Sequence, residues 1–91
     1  MIRSFRHKAL KELFCGRPKG IEADLRRKVS NILLVLSAAE GPQSMNLPGF
    51  GLHELQGARK GTWTVAVNKN WRITFRFENG NACDVDLIDY H

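Results

Sequence analysis

The sequence predicts an α+β fold, in which two N-terminal helices pack on one face of an antiparallel sheet of about four strands. Apolar residues recur at helical spacing in the first half of the chain and at every second position in the second half. Clusters of glycine, proline and asparagine separate these segments. Because the chain has only 91 residues, we expect a single domain over residues 1–91.

The N-terminal region predicts a short strand over residues 2–5 and a first helix over residues 7–15. Leu10, Leu13 and Phe14 lie on one face of that helix, with charged residues between them. The sequence GRPKG at residues 16–20 ends it, because glycine and proline interrupt helices.

The second helix, over residues 22–39, has the clearest pattern in the chain. Glu22 and Asp24 lie in its first turn, where the helix dipole favours negative charge. Gly41-Pro42 ends it, and a loop is predicted for residues 43–51. One buried stripe is predicted, formed by Leu25, Val29, Ile32, Leu33 and Leu36.

The remainder of the chain is predicted to be β-structure. A short strand over residues 52–56 is followed by a glycine-bounded loop over residues 57–61. Three strands with period-two alternation come next, each half-buried in an antiparallel sheet. Their apolar positions are Trp63, Val65 and Val67 in the first, Trp71, Ile73, Phe75 and Phe77 in the second, and Cys83, Val85 and Leu87 in the third.

The apolar positions are odd-numbered in all three strands, so they share one face only if paired residue numbers sum to an even number. Three-residue loops satisfy this condition and pair Val67 with Trp71 and Phe77 with Asn81. Arg72 is then expected opposite Asp86. The face away from the helices, called the outer face below, is predicted to carry Thr64, Arg72, Thr74, Arg76, Asp84 and Asp86.

The composition indicates a basic protein without membrane segments. The net charge is +5 and the pI about 9.7, which favours a polyanionic partner, nucleic acid first, although a solvated basic surface is the alternative. The longest apolar run, residues 32–36, is too short to cross a bilayer, and no signal peptide is recognisable, so we expect a cytoplasmic protein.

The cysteines and histidines match no zinc pattern, so neither a metal nor another cofactor is expected. Cys15 and Cys83 are interpreted as free buried thiols in a reducing compartment, and one disulfide is the alternative.

Candidate catalytic side chains are Asp89, Tyr90 and His91, at the tip of the last strand. The predicted register brings them near Arg72, with Asn70 and Lys69 in the adjacent turn. A terminus without a role is the alternative. His53 is a further candidate, because its strand borders that of residues 62–67; a structural histidine on a short strand is the alternative and, for a histidine taken alone, the commoner case.

Histidines, a carboxylate, a phenol and an arginine in one patch would suffice for RNA cleavage without a metal. A base takes the proton of the ribose 2′-OH, which attacks the adjacent phosphate, and an acid protonates the departing 5′-oxygen. Histidine suits both roles because its unperturbed pKa is about 6.5. Arginine can hold the phosphate through two parallel hydrogen bonds. Which histidine is acid and which is base stays open.

Five sequence segments resemble the HigB group of toxins, the plasmid-maintenance killer proteins of the RelE-like superfamily. The resemblance runs nearly from end to end and is strongest from His53 to His91. The segments are residues 1–5 (MIRSF), 52–57 (LHELQG), 61–63 (GTW), 70–75 (NWRITF) and 89–91 (DYH).

The resemblance implies a ribosome-dependent mRNA endonuclease that cleaves codons in the ribosomal A site. It also implies a HigA-like helix-turn-helix antitoxin as partner, through which alone the toxin would reach promoter DNA. His53, Asp89, Tyr90 and His91 match the active-site positions of the family, and Arg72 and Asn70 match residues that line the same groove. Arg26, Arg27 and Lys28 would contact ribosomal RNA, with a merely solvated helix face as the alternative.

Gln56 departs from the family, since many members have lysine there. Lys60 or Lys69 could supply the missing cation for the phosphate. The alternative is a catalytically weak or inactive RelE-like module that binds only its antitoxin or nucleic acid.

Overall fold

A computed structural model describes residues 1–89 and has the predicted α+β architecture. Two helices precede an antiparallel sheet with the strand order β1-β2-β3-β4. The helices are α1 (Lys8–Phe14) and α2 (Ala23–Ala38), and the strands are β1 (His53–Glu54), β2 (Trp63–Ala66), β3 (Trp71–Glu78) and β4 (Asn81–Asp89). Short 3₁₀ helices lie at Pro42–Met45 and Gly57–Arg59.

Helix α2 buries the stripe predicted from its sequence. Leu25, Val29, Ile32, Leu33 and Leu36 are all buried, and they pack with the odd-numbered residues of the sheet, such as Ile73 and Phe75. Leu10 is the buried residue of the shorter helix α1. Both helices therefore pack on one face of the sheet, and neither of them covers the outer face.

Two predictions for the irregular segments are wrong. Residues 2–5 form no strand, but Ile2 and Phe5 make isolated parallel bridges to Ala82 and Val85, which cover part of the edge of β4. The loop after α2 contains a 3₁₀ helix, whose Met45 is fully buried. A single apolar residue in a polar loop has no periodicity that could reveal its burial.

The register of β2 against β3 is the predicted one. Trp63 pairs with Phe75 and Val65 with Ile73, and the Val67 N–H donates to the Trp71 carbonyl at 2.9 Å. The three-residue loop over residues 68–70 is therefore confirmed.

The register of β3 against β4 differs from the prediction. Glu78 pairs with Asn81 across a two-residue turn, in which Asn79 and Gly80 have φ of 53° and 79°, as a type I′ turn requires. This turn makes the numbers of paired residues sum to an odd number. A bulge at Asp84, with φ of 54°, then adds one residue to β4, and beyond it the numbers of paired residues again sum to an even number.

The bulge changes which residues are neighbours and restores the predicted core face for Val85 and Leu87. Arg72 lies opposite Ile88, so its predicted pairing with Asp86 is wrong, and Asp86 lies opposite Thr74. Between the turn and the bulge, Ala82 lies in the core cluster and Cys83 pairs with Arg76, so the predicted core position of Cys83 is wrong.

The two cysteines are both free thiols. Cys83 is buried as expected, but Cys15 is exposed, because it follows the last turn of α1 and lies off its apolar face. Among the described residues, no helix is long and apolar enough to cross a membrane.

Candidate active site on the outer face of the sheet

One row of paired residues crosses the outer face of the sheet. His53 on β1 pairs with Thr64 on β2, Thr64 with Thr74 on β3, and Thr74 with Asp86 on β4. Arg72 lies two residues before Thr74 on the same face, between Ala66 and Ile88. His53 and Arg72 are two strands apart, a lateral separation of about 10 Å. His53, Thr64, Ala66, Arg72 and Thr74 are called the outer-face site below.

The floor between His53 and Arg72 consists of small side chains. Thr64 and Thr74 are each 1% exposed, although the sequence alternation predicts them on a polar face. The Oγ1 atom of Thr64 is buried and has no hydrogen-bond partner within residues 1–89. Most buried polar side-chain atoms have a partner, so this hydroxyl is an exception directly beneath the site. The alternation pattern placed Thr64 on the outer face, but it gave no sign that the side chain is buried there.

The imidazole of His53 is exposed and is oriented by the backbone. Its Nδ1 lies 3.3 Å from the Gly51 carbonyl oxygen. A carbonyl can only accept, so this contact is a hydrogen bond only when the proton is on Nδ1. Nε2 is then the lone-pair nitrogen of the neutral ring. Gly51 has φ of 59°, a left-handed conformation that glycine adopts without strain.

The turn between β2 and β3 is held by Asn68, a residue that sequence analysis missed. The N–H groups of Asn70 and Trp71 donate to Asn68 Oδ1 at 2.8 and 2.9 Å. Asparagine often forms this kind of turn with the backbone that follows it, and that preference could have identified it. The turn carries the exposed Lys69 and the half-buried Asn70.

Asp89 pairs with Trp71 and therefore lies beside this turn, as the sequence predicts. It is the next residue along β4 after Ile88, the cross-strand neighbour of Arg72. Asp89, Asn70, Lys69 and Arg72 thus share one end of the sheet. The candidates Tyr90 and His91 lie outside the described residues.

Lys60 lies at the opposite end of β2. It follows the 3₁₀ helix Gly57–Arg59, and its N–H donates to the Gly57 carbonyl. Six residues separate Thr62 from Asn68, about 20 Å of extended chain, so Lys60 and Lys69 flank the outer-face site from different ends. Glu54 Oε2 accepts a hydrogen bond from the Gly61 N–H at 2.8 Å and closes the loop that contains Lys60.

The basic cluster of α2 lies in the helical layer, on the opposite side of the sheet from the outer-face site. Arg27 and Lys28 are exposed. Arg26 is half-buried, and its Nε donates to the Ile21 carbonyl at 2.9 Å, across the start of the helix. Arg26 therefore has a structural contact with the start of the helix.

Charged groups near the β4 bulge are paired with each other. Arg76 Nε donates to Asp84 Oδ2 at 3.1 Å and its Nη2 to Glu78 Oε2 at 2.6 Å. The hydrogen bond that Arg76 donates to Asp84 and the charge of Glu78 raise the pKa of the Arg76 guanidinium. Within residues 1–89, no group of three or more His, Cys, Asp or Glu residues is placed to hold a metal ion.

The arrangement offers the lone-pair nitrogen of His53 and the guanidinium of Arg72 around a floor of small side chains, while Asp89, paired with Trp71, lies on the odd-numbered face at the same end of the sheet. Such groups can exchange protons with a hydroxyl and neutralise a phosphate.

Comparison with known proteins identifies the same family that the sequence resembles. The family model of the RelE-like toxin of type II toxin–antitoxin system HigB matches residues 3–91. The chain is 40% identical to Endoribonuclease HigB of Proteus vulgaris over 92 residues, which covers 100% of both chains.

Two solved structures share the fold at low sequence identity. The YoeB-YefM complex from Staphylococcus aureus matches with a TM-score of 0.65 and 11% identity, covering 100% of this chain and 98% of that chain. The YoeB/ParE toxin from Agrobacterium tumefaciens matches with a TM-score of 0.55 and 12% identity, covering 100% and 99%. The chain belongs to the HigB-like family of RelE-like toxins of type II toxin–antitoxin systems.

Proposed function

We propose that this toxin is an endoribonuclease that cleaves mRNA in the A site of the ribosome, at the outer-face site and without a metal. The observation that carries the proposal is the placement of His53 and Arg72 two strands apart over a floor of buried threonines. The name of the 40% identical relative, an endoribonuclease, supports the same activity. Inhibition of translation follows from the loss of intact message.

The reaction needs one base, one acid and a cation. The base removes the 2′-OH proton, the 2′-oxygen attacks phosphorus, and the 5′-oxygen leaves with a proton from the acid. The products are a 2′,3′-cyclic phosphate and a 5′-hydroxyl. The contact between His53 and Gly51 supports His53 as the base, because the Gly51 carbonyl favours the tautomer with a lone pair on Nε2.

The other candidates take roles that follow from their positions or from the family pattern. Arg72 neutralises the phosphate, and Asn70 and Lys69 contact the RNA from the adjacent turn. Lys60 would contact it from the other end of the site. Asp89, Tyr90 and His91 are proposed as the remaining catalytic groups on the pattern of the family, with His91 as the candidate acid.

The ribosome is part of the proposal because the catalytic set is small. Few groups on this chain could place an RNA strand in line for attack, so a ribosome that holds the codon would supply the alignment. Arg27 and Lys28, on the opposite surface, are available to contact ribosomal RNA at the same time; Arg26 is tied to Ile21.

A toxin of this family has an antitoxin partner. We propose a HigA-like helix-turn-helix protein, through which alone the toxin reaches promoter DNA. We also propose that residues 1–91 are one toxin domain that acts in the cytoplasm, where ribosomes and mRNA are found.

The test is induction of the gene with and without the neighbouring antitoxin gene, together with mapping of mRNA ends. Growth arrest that the antitoxin relieves, with new 5′ ends inside translated codons, is the expected result. Gln56, where many relatives have lysine, makes a weak or inactive module the competing outcome. Intact message and normal growth would establish that outcome and overturn the proposal.

A further inference from the structure

A cleft separate from the outer-face site lies where α1, the segment that connects it to α2, and the outer edge of β4 meet. Its volume is about 690 Å³, which is within the range of small-molecule and nucleotide pockets. The sequence analysis assigned no role to it. The charged and polar side chains that line it include Arg6, His7, Lys8, Arg17, Lys19 and Asp86.

The cleft is built by a close approach of backbone to helix. Gly20 has φ of 86°, and a Cβ at this position would lie 2.9 Å from the Cβ of Ala9. No other residue type fits there without displacing the segment, so glycine fixes the distance between the two walls. Ala9 and Gly20 form a small, apolar part of the lining.

The rim carries an excess of positive charge. Arg17 forms an ion pair with Glu12 on α1 and is thereby held in place. No ion pair within residues 1–89 joins Arg6, Lys8 or Lys19 to a carboxylate. These three cations are therefore available to an anion.

His7 adds a polar atom without a partner. Its Nδ1 is buried and has no hydrogen-bond partner among the described residues. Most buried polar side-chain atoms are hydrogen-bonded, so this nitrogen is a candidate contact for a bound molecule. A cleft with three available cations, an unpartnered imidazole nitrogen and a small apolar part of its lining suits a nucleotide, whose phosphate is anionic and whose base is flat.

The position of the cleft relates it to the outer-face site. Asp86 belongs to the same row of paired residues as Thr74, Thr64 and His53, at the opposite end. Three strand spacings, about 14 Å, separate the two ends, a distance that a few nucleotides of single-stranded RNA can cover. We propose that this cleft is a second RNA-binding site, which holds a nucleotide outside the cleavage position through Arg6, Lys8 and Lys19.

This proposal rests on the proposed function, because it takes RNA as the ligand. The probe is a short, fluorescein-labelled single-stranded RNA with 2′-O-methyl riboses, which the proposed chemistry cannot cleave. Fluorescence anisotropy gives its affinity at several salt concentrations for the whole toxin and for two variants. The first variant, Arg6→Gln/Lys19→Gln, changes the cleft, and the control, Arg3→Gln/Lys11→Gln, removes the same charge from exposed positions that do not line it.

The cleft variant is expected to bind about tenfold more weakly at low salt, and its slope of log affinity against log salt should fall by about 1.4. The control should stay close to the parent protein in both quantities, and thermal unfolding should be the same for all three. Equal losses in the two variants would show a general charge effect and overturn the proposal. A polyglutamate peptide that binds with the same dependence on Arg6 and Lys19 would assign the cleft to an acidic protein and overturn it as well.

Failure of the proposed function would look different. A toxin that binds the probe through the cleft but cleaves no message on ribosomes would contradict the nuclease activity and leave the RNA site standing. A toxin that cleaves message, with the cleft variant binding the probe as the parent does, would contradict only the second site.

Discussion

Arg72 lies directly opposite Ile88 across β3 and β4, two residues further along β4 than an uninterrupted hairpin with a three-residue turn would place it. The two-residue turn at Asn79-Gly80 and the bulge at Asp84 together cause this shift. The cross-strand neighbour of the arginine is therefore apolar, and Asp86 belongs to the rim of the cleft beside α1.

The turn that sets this register depends on a left-handed residue at position 79. Asn79 has φ of 53°, which asparagine tolerates and alanine does not. Replacing Asn79 with Ala should lower the free energy of unfolding by about 1 kcal/mol, and replacing it with Gly should change it by less than about 0.5 kcal/mol. Urea denaturation of the three proteins measures both values. Equal stabilities for the Ala and Gly variants would contradict the type I′ turn.

Asn68 is expected to hold the turn that carries Lys69 and Asn70. Replacing Asn68 with Ala removes the acceptor for two backbone N–H groups and should cost about 1–2 kcal/mol of unfolding free energy. Asn68→Asp keeps the acceptor and is the matched control. Since the turn borders Arg72, the Ala variant should also cleave message more slowly below its unfolding temperature. If both variants unfold alike, Asn68 does not hold the turn.

The α2 cluster should divide into one structural and two functional residues. Arg26→Gln loses the bond to the Ile21 carbonyl and should destabilise the fold by about 1 kcal/mol. Arg27→Gln/Lys28→Gln should leave stability within about 0.5 kcal/mol, since both side chains are exposed. That double variant should bind ribosomes more weakly, with a flatter salt dependence. Unchanged ribosome affinity would show that the exposed pair is only a solvated face.

The sequence could predict the features that appear as a regular spacing of apolar residues. The five apolar residues of α2 and the odd-numbered faces of β2 and β3 are as predicted, because burial of one face imposes a regular spacing. Parity could not reveal the Asp84 bulge. The two-residue turn changes the parity once and the bulge changes it back, so the apolar pattern of β4 looks like that of a regular strand.

Features that depend only on where the fold places a residue could not be predicted from the sequence. The burial of Met45 and of the Thr64 hydroxyl depends on neighbours from other elements. The cleft beside α1 joins residues 6–20 to Asp86, which are far apart in the chain. His53 was identifiable because histidine itself suggests proton transfer, but its contact with the Gly51 carbonyl follows from the fold.

His53 should be essential for cleavage and dispensable for folding. His53→Gln keeps a polar side chain of similar size that cannot act as a base near neutral pH, so cleavage on programmed ribosomes should fall by about 10²–10⁴-fold. The side chain is exposed, and thermal unfolding should hardly change. Growth arrest on induction should disappear in parallel. A His53→Gln variant that cleaves at the parent rate would remove His53 from the mechanism.

The central claim is that the outer-face site cleaves RNA by attack of the 2′-hydroxyl. The most direct measurement presents programmed ribosomes with two messages that differ only by a 2′-deoxy nucleotide at the cleavage position. The account predicts that the unmodified message is cut to a 2′,3′-cyclic phosphate and a 5′-hydroxyl, and that the deoxy message survives. Cleavage of the deoxy message at the same bond, or a product without the cyclic phosphate intermediate, would contradict it.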